Sequence, residues 1–137
     1  MATTSPPITR ITRAHQKVRL YTDPDQVTEE SSALVEADLY DENDVHIRSD
    51  SILSATYTLT DDSGSQIINE RSKVPIQLTN PLKVVLLGDD LSLPIHAQPW
   101  RLLTIEVTYS SSLGINLPLK QQKRFRIKPL GAIPHQN

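Results

Sequence analysis

The chain has 137 residues, a formal net charge of −2, 37 % apolar and 22 % charged residues, and no cysteine. That length suits one domain with its own core, and the missing thiols exclude disulfides, thiolate metal sites and cysteine nucleophiles together. The charge argues against a general nucleic-acid binder, no apolar run reaches the ~20 residues of a membrane-crossing helix, and Met1 to Pro7 lacks the basic-then-apolar start of a secretory signal.

Met1 to Lys17 reads as an extended arm. It opens on Thr, Ser and Pro, which resist regular structure, and Ile8 and Ile11 are its large apolar residues after Met1. Such a segment reads as a disordered terminus or as an arm that orders on a neighbouring subunit, with the two isoleucines as anchors. From Val18 the apolar pattern has a period of two, the signature of strands. Val18 to Thr22 alternates briefly. Ser32 to Tyr40 alternates well, with Ala33, Val35, Ala37 and Leu39 on one face. Asp41 to Asp44 is a turn, and Val45 to Ile47 resumes as a hairpin arm. Ser54 to Thr60 sets Ala55, Tyr57 and Leu59 against a face of Ser and Thr. Asp61-Asp-Ser-Gly64 is a strong turn signal, with a return strand from Gln66 to Asn69.

Val74 to Leu78 contains Pro75 and reads as an edge. Leu82 to Leu87 is a denser apolar run, expected to be buried on both faces. Leu91 to Pro99 is a connection. Trp100 to Tyr109 is the clearest strand, its core side carrying Leu103, Ile105, Val107 and Tyr109. Ser110 to Gly114 is a loop. Ile115 to Leu119 and Gln122 to Lys128 close the set, the last with Phe125 and Ile127 against Arg124, Arg126 and Lys128. About seven to nine short strands at roughly ten-residue spacing predict an all-β fold, a single antiparallel β-sandwich or a barrel. The domain is expected over 18–130, followed by a tail at 131–137.

Catalytic chemistry has little local support. His15, His46, His96 and His135 are scattered, with no His-x-His or His-Glu-x-x-His spacing. Asp23-Pro-Asp25, Asp41-Glu-Asn-Asp44 and Gly88-Asp-Asp90 offer oxygens, but none completes a calcium loop. Ser110 to Ser112 lack a nucleophile elbow, and the four glycines form no phosphate cradle. The chain therefore reads as non-enzymatic, with no cofactor and no metal.

The charge order is more informative. Arg10, Arg13, Lys17 and Arg19 precede an acidic stretch, residues 22–50, with ten acids and one base; after Glu106 come Lys120, Lys123, Arg124, Arg126 and Lys128. Basic ends around an acidic early middle suggest either charges spread over solvated strand faces and loops, or opposed charged surfaces that dock on copies or on other proteins. The candidate interaction residues are Ile8, Arg10, Ile11 and Arg13 in the arm, and Lys123, Arg124, Arg126 and Lys128 in the last strand.

The segments SATYTLTDDSGSQII (Ser54 to Ile68), RLLTIEVTYSSSLGINLPL (Arg101 to Leu119) and FRIKPL (Phe125 to Leu130) together resemble a family. They are similar, in kind and order, to the small Ig-like β-sandwich virion structural proteins of tailed bacteriophages, over Val18 to Leu130. The resemblance implies an Ig-like sandwich and a structural role as a capsid decoration (cement) protein or a neck (head–tail connector) subunit. It implies partners among capsid, portal or tail proteins, self-association within the virion, no membrane, and nucleic acid at most through phosphate. Synthesis would be in the host bacterial cytoplasm. The alternative is an Ig-like adhesion or carbohydrate-binding module, for which Tyr21 and Tyr40 are the candidate surface aromatics.

Overall fold

A computed structural model describes residues 13–20, 26–94 and 97–130. Eight strands run β1 (His15–Leu20), β2 (Gln26–Thr28), β3 (Ser32–Tyr40), β4 (Ile52–Asp61), β5 (Val74–Pro75), β6 (Leu82–Leu87), β7 (Trp100–Ser111) and β8 (Gly114–Lys128), with 3₁₀ turns at Ser49–Ser51 and Gly88–Leu91. They form a three-stranded sheet, β1-β3-β6, and a five-stranded sheet, β2-β8-β7-β4-β5. Every pairing is antiparallel except β2 with β8. Consecutive strands change sheet at β1/β2, β2/β3, β3/β4, β5/β6 and β6/β7, the Greek-key wiring of an Ig-like sandwich. The fold class expected from the alternation is the one observed.

The core lies between the sheets. Val35, Ala37, Leu39, Leu82 and Leu86 on one side meet Leu59, Leu103, Ile105, Phe125 and Ile127 on the other, all at 0–1 % exposure. Period-two alternation puts each set on one face, and burying it is the main stabilising term. β3 has the bounds read from the sequence, and the core face of β7 carries the four residues named for it.

Five local readings change. β1 starts at His15 because Gln16 is buried, its Nε2 donating to the carbonyls of Ile105 (3.2 Å) and Leu119 (3.4 Å) in the opposite sheet. The sandwich therefore reaches three residues into the segment read as an arm. Ile8, Arg10 and Ile11 lie outside the described residues. The stretch after Asp61 makes only a single bridge, Thr60 with Ile67, because positive φ at Asn69 (51°) and Glu70 (56°) turns the chain away. Val45 to Ile47 likewise gives one bridge, Tyr40 with His46, after Asp44 at φ 62°. The two closing segments are one strand, β8, held continuous through Pro118 by the long template of β7. The largest change is β6, which is not buried on both faces: Leu82, Val84 and Leu86 point in, while Val85 and Leu87 are 53 % and 54 % exposed. It is the edge of its sheet.

Candidate interaction surfaces

Three surfaces gather the chemically distinctive side chains. The first is the outer face of the five-stranded sheet. Register places Lys120 opposite Glu106, Gln122 opposite Thr104, Arg124 opposite Leu102 and Arg126 opposite Trp100. Lys128 continues the row beside Thr28 of β2. Arg124 is neutralised within the molecule. Its Nε and Nη2 donate to the Asp62 carboxylate (2.6 and 3.2 Å), and its guanidinium lies 3.7 Å from the Trp100 ring centroid. The hydrogen bond from Arg124 holds Asp62 below the ordinary carboxylate range. Arg126 and Lys128 are exposed and make no ion pair among the described residues. Lys123 is not part of this row: it falls on the opposite face of β8 with Phe125, and is half-buried.

Asp62→Asn should free Arg124 without altering the fold, since an exposed pair contributes little to stability. The expected result is an unchanged melting temperature and elution from a cation exchanger at higher salt. Unchanged elution would mean that Arg124 already presents its full charge.

The second surface is the outer face of the three-stranded sheet. Here the acidic stretch meets its counter-charges. Arg19 on β1 bonds Asp38 and reaches Glu36 (3.3 Å) on β3; Lys83 on β6 approaches Glu36 from the other side (4.0 Å). The blocks of charge that alternate along the sequence thus pair across strands. At one end of this face His15 stacks on Tyr40 (4.9 Å), His46 meets the same ring edge-on (4.6 Å), and Lys17 lies 5.0 Å from its centroid. At the other end Leu34, Val85 and Leu87 form an apolar group.

The third surface is the β7–β8 hairpin tip. Ser112 and Leu113 form the loop, Ser111 pairs Gly114, and Asn116 at φ 56° marks a bulge. Leu113 and Ile115 project at 69 % and 74 % exposure, the most exposed large apolar residues described. Behind the tip is a cavity of about 360 Å³, lined by Arg13, Ala14, Glu42, Leu113 and Leu117 among others. Glu42 is buried and accepts from Tyr109 Oη (3.2 Å) and Ser111 Oγ (2.8 Å). Burial, then the Glu42 charge, push the Tyr109 hydroxyl pKa up. Arg13, the one candidate interaction residue of the arm among the described residues, sits at this cavity. The sequence gives no local sign of the Glu42 network, because its partners lie 67 and 69 residues away.

Among the described residues no group of three or more His, Asp or Glu is placed to hold a metal ion, and no helix is long and apolar enough to cross a membrane. No family model, curated protein or solved structure matches this chain.

Proposed function

We propose that this protein is a non-enzymatic structural subunit of a bacteriophage virion, acting as a capsid decoration (cement) or neck (head–tail connector) component that binds other virion proteins and copies of itself. The observation that carries the reading is the exposed apolar pair at the hairpin tip, Leu113 and Ile115, far from the second exposed apolar group at Val85 and Leu87. A small domain with two separate apolar contacts suits a subunit with more than one neighbour. The resemblance in Ser54 to Ile68, Arg101 to Leu119 and Phe125 to Leu130 supplies the virion context. Many copies on a symmetric particle let weak contacts add.

Among the described residues, which do not include Tyr21, the aromatic side chains support assembly over sugar binding. Trp100 is covered by Arg124, and Tyr40 is engaged by His15, Lys17 and His46. Neither is presented as an open platform. The exposed Arg126 and Lys128 suit an acidic protein surface or, on a lumen, phosphate contact without base readout.

The test uses particles of the phage whose genome encodes the chain. An antibody to the protein should label purified virions at the shell or neck. A Leu113→Ser/Ile115→Ser double variant should fold with the wild-type circular dichroism and fail to enter particles. Absence of the chain from purified virions would sink the proposal, and full incorporation of the double variant would remove the hairpin tip from it.

A further inference from the structure

The geometry points to β6 as a self-association edge, its outer side pairing antiparallel with β6 of a second copy about a two-fold axis at Val85. This deepens the assembly reading by naming a surface. Its test runs on the purified full chain, so it can fail while incorporation into particles holds.

Among the described residues β6 is hydrogen-bonded on one side only, to β3. The Gly88 N–H donates to the Ser31 carbonyl at 3.0 Å, which fixes the phase of the ladder. Antiparallel pairs alternate between bonded and non-bonded, so Leu82, Val84 and Leu86 exchange bonds with Ala37, Val35 and Ala33. The backbone groups of Lys83, Val85 and Leu87 then point off the edge. One of them is taken, since the Leu87 N–H donates to Asp90 Oδ2 at 3.0 Å. The side chains over this edge are Val85 and Leu87, beside Leu34.

An apolar edge of this kind is a template for strand addition. Protective devices are weak here. Lys83 is the one charged residue on the strand, and it leans back toward Glu36 at 4.0 Å. The edges of the other sheet are different: β2 has three residues, β5 has two, and Pro75 lacks an N–H.

Self-complementarity selects the register. An axis at Val85 sets Val85 against Val85 and Lys83 against the second copy's Leu87, one step from its exposed Asp89. Four main-chain hydrogen bonds form, two at Val85 and one from each Lys83 N–H to a Leu87 carbonyl. The two Lys83 lie four residues apart, about 13 Å. An axis at Val84 brings the two Lys83 to a diagonal of about 7–8 Å, where like charges repel. An axis at Leu86 needs the Leu87 N–H that Asp90 already holds. The product is a continuous six-stranded sheet in the order β1-β3-β6-β6-β3-β1, an isologous pair.

Because the chain has no cysteine, Val85→Cys reports on the axis directly. Bonded antiparallel partners sit about 5.5 Å apart at Cα, within disulfide range. Val45→Cys is the control, at a loop position of equal exposure (57 %). Light scattering over about a hundredfold range of concentration should show the wild type passing from monomer to dimer. Under mild oxidation Val85→Cys should give covalent dimer at least about tenfold faster than Val45→Cys. Val85→Pro removes an outward N–H that β3 does not use, and Val85→Lys sets like charges across the axis. Both should stay monomeric, with far-ultraviolet circular dichroism establishing that each is folded; if the proline variant unfolds, the lysine variant decides. A wild type monomeric throughout, a dimer that survives Val85→Lys, or equal rates for the two cysteine variants would each overturn the assignment.

Discussion

Replacing Asp90 with Ala is expected to lower the unfolding free energy by about 1–3 kcal/mol, the range for leaving buried donors without their acceptor. Asp90 is 1 % exposed. Its carboxylate accepts from Arg71 Nε (2.7 Å), Asn69 Nδ2 (2.8 Å) and the Leu87 N–H (3.0 Å). These bonds tie the loop after β4 to the 3₁₀ turn that leads from β6 toward β7. Without the carboxylate, Arg71 and the Leu87 N–H lose their acceptors together. Asp90→Asn should also destabilise, because all three neighbours donate and an amide offers a single acceptor oxygen. Chemical denaturation of both variants checks this, and a loss under about 1 kcal/mol in each would show that the loop finds other partners.

The same site sets an acid limit on stability. Burial pushes the Asp90 carboxyl pKa up, but the hydrogen bonds from Arg71, Leu87 and Asn69 outweigh it and hold it below the ordinary value. A depressed folded pKa means the stabilisation is complete above the unfolded value of about 3.9 and is lost as pH falls through the folded one. The Asp90→Ala variant should therefore lie furthest below wild type near neutral pH and converge on it in strong acid.

The second large effect is expected at Phe125. It is fully buried, and Phe125→Ala should cost about 3–5 kcal/mol through lost transfer and the cavity left behind. Leu103→Ala, opposite Lys123 in the β7–β8 register and also at 0 % exposure, should cost about 2–5 kcal/mol. Arg126→Ala, one residue along β8 from Phe125 but on the outer face, should stay within about 0.5 kcal/mol. Urea midpoints with unchanged slopes would separate the two faces of one strand. Equal losses at Phe125 and Arg126 would contradict the inward and outward assignment of β8.

The sandwich was legible because its central strands alternate. Ser32–Tyr40 and Trp100–Tyr109 each carry one apolar and one polar face, and both faces landed as the period requires. Leu82–Leu87 misled because a run of five apolar residues in six looks the same at a sheet centre and at an apolar edge. Composition reports hydrophobicity and not which neighbour covers it. The charge blocks misled in a related way. The acidic stretch and the basic residues near it read as opposed surfaces, yet Arg19 lies across the ladder from Glu36 and bonds both it and Asp38. Of the candidate basic residues in β8, Arg124, Arg126 and Lys128 share a face as the alternation implies, and Lys123 is out of phase by one residue. Gln16, Glu42 and Asp90 carry no signal at all in a linear reading. Their side-chain partners and the carbonyls that Gln16 meets lie 19 to 103 residues away.

The parallel pairing of β2 with β8 has a mechanical consequence. β1 and β2 run in the same sense as β8, with the chain entering β1 beside the hairpin tip and leaving β8 at the far end of the sandwich. Tension drawn between those two points acts along the strands. It loads the bonds of Gln26–Thr28 against Arg126–Lys128, and of β1 against β3, in shear, so that each row must give way together and not one bond at a time. A domain held from both sides in this way would bear load before it extended, and single-molecule stretching from its two ends would register that as one abrupt rupture, where a gradual low-force lengthening would mean the strands peel.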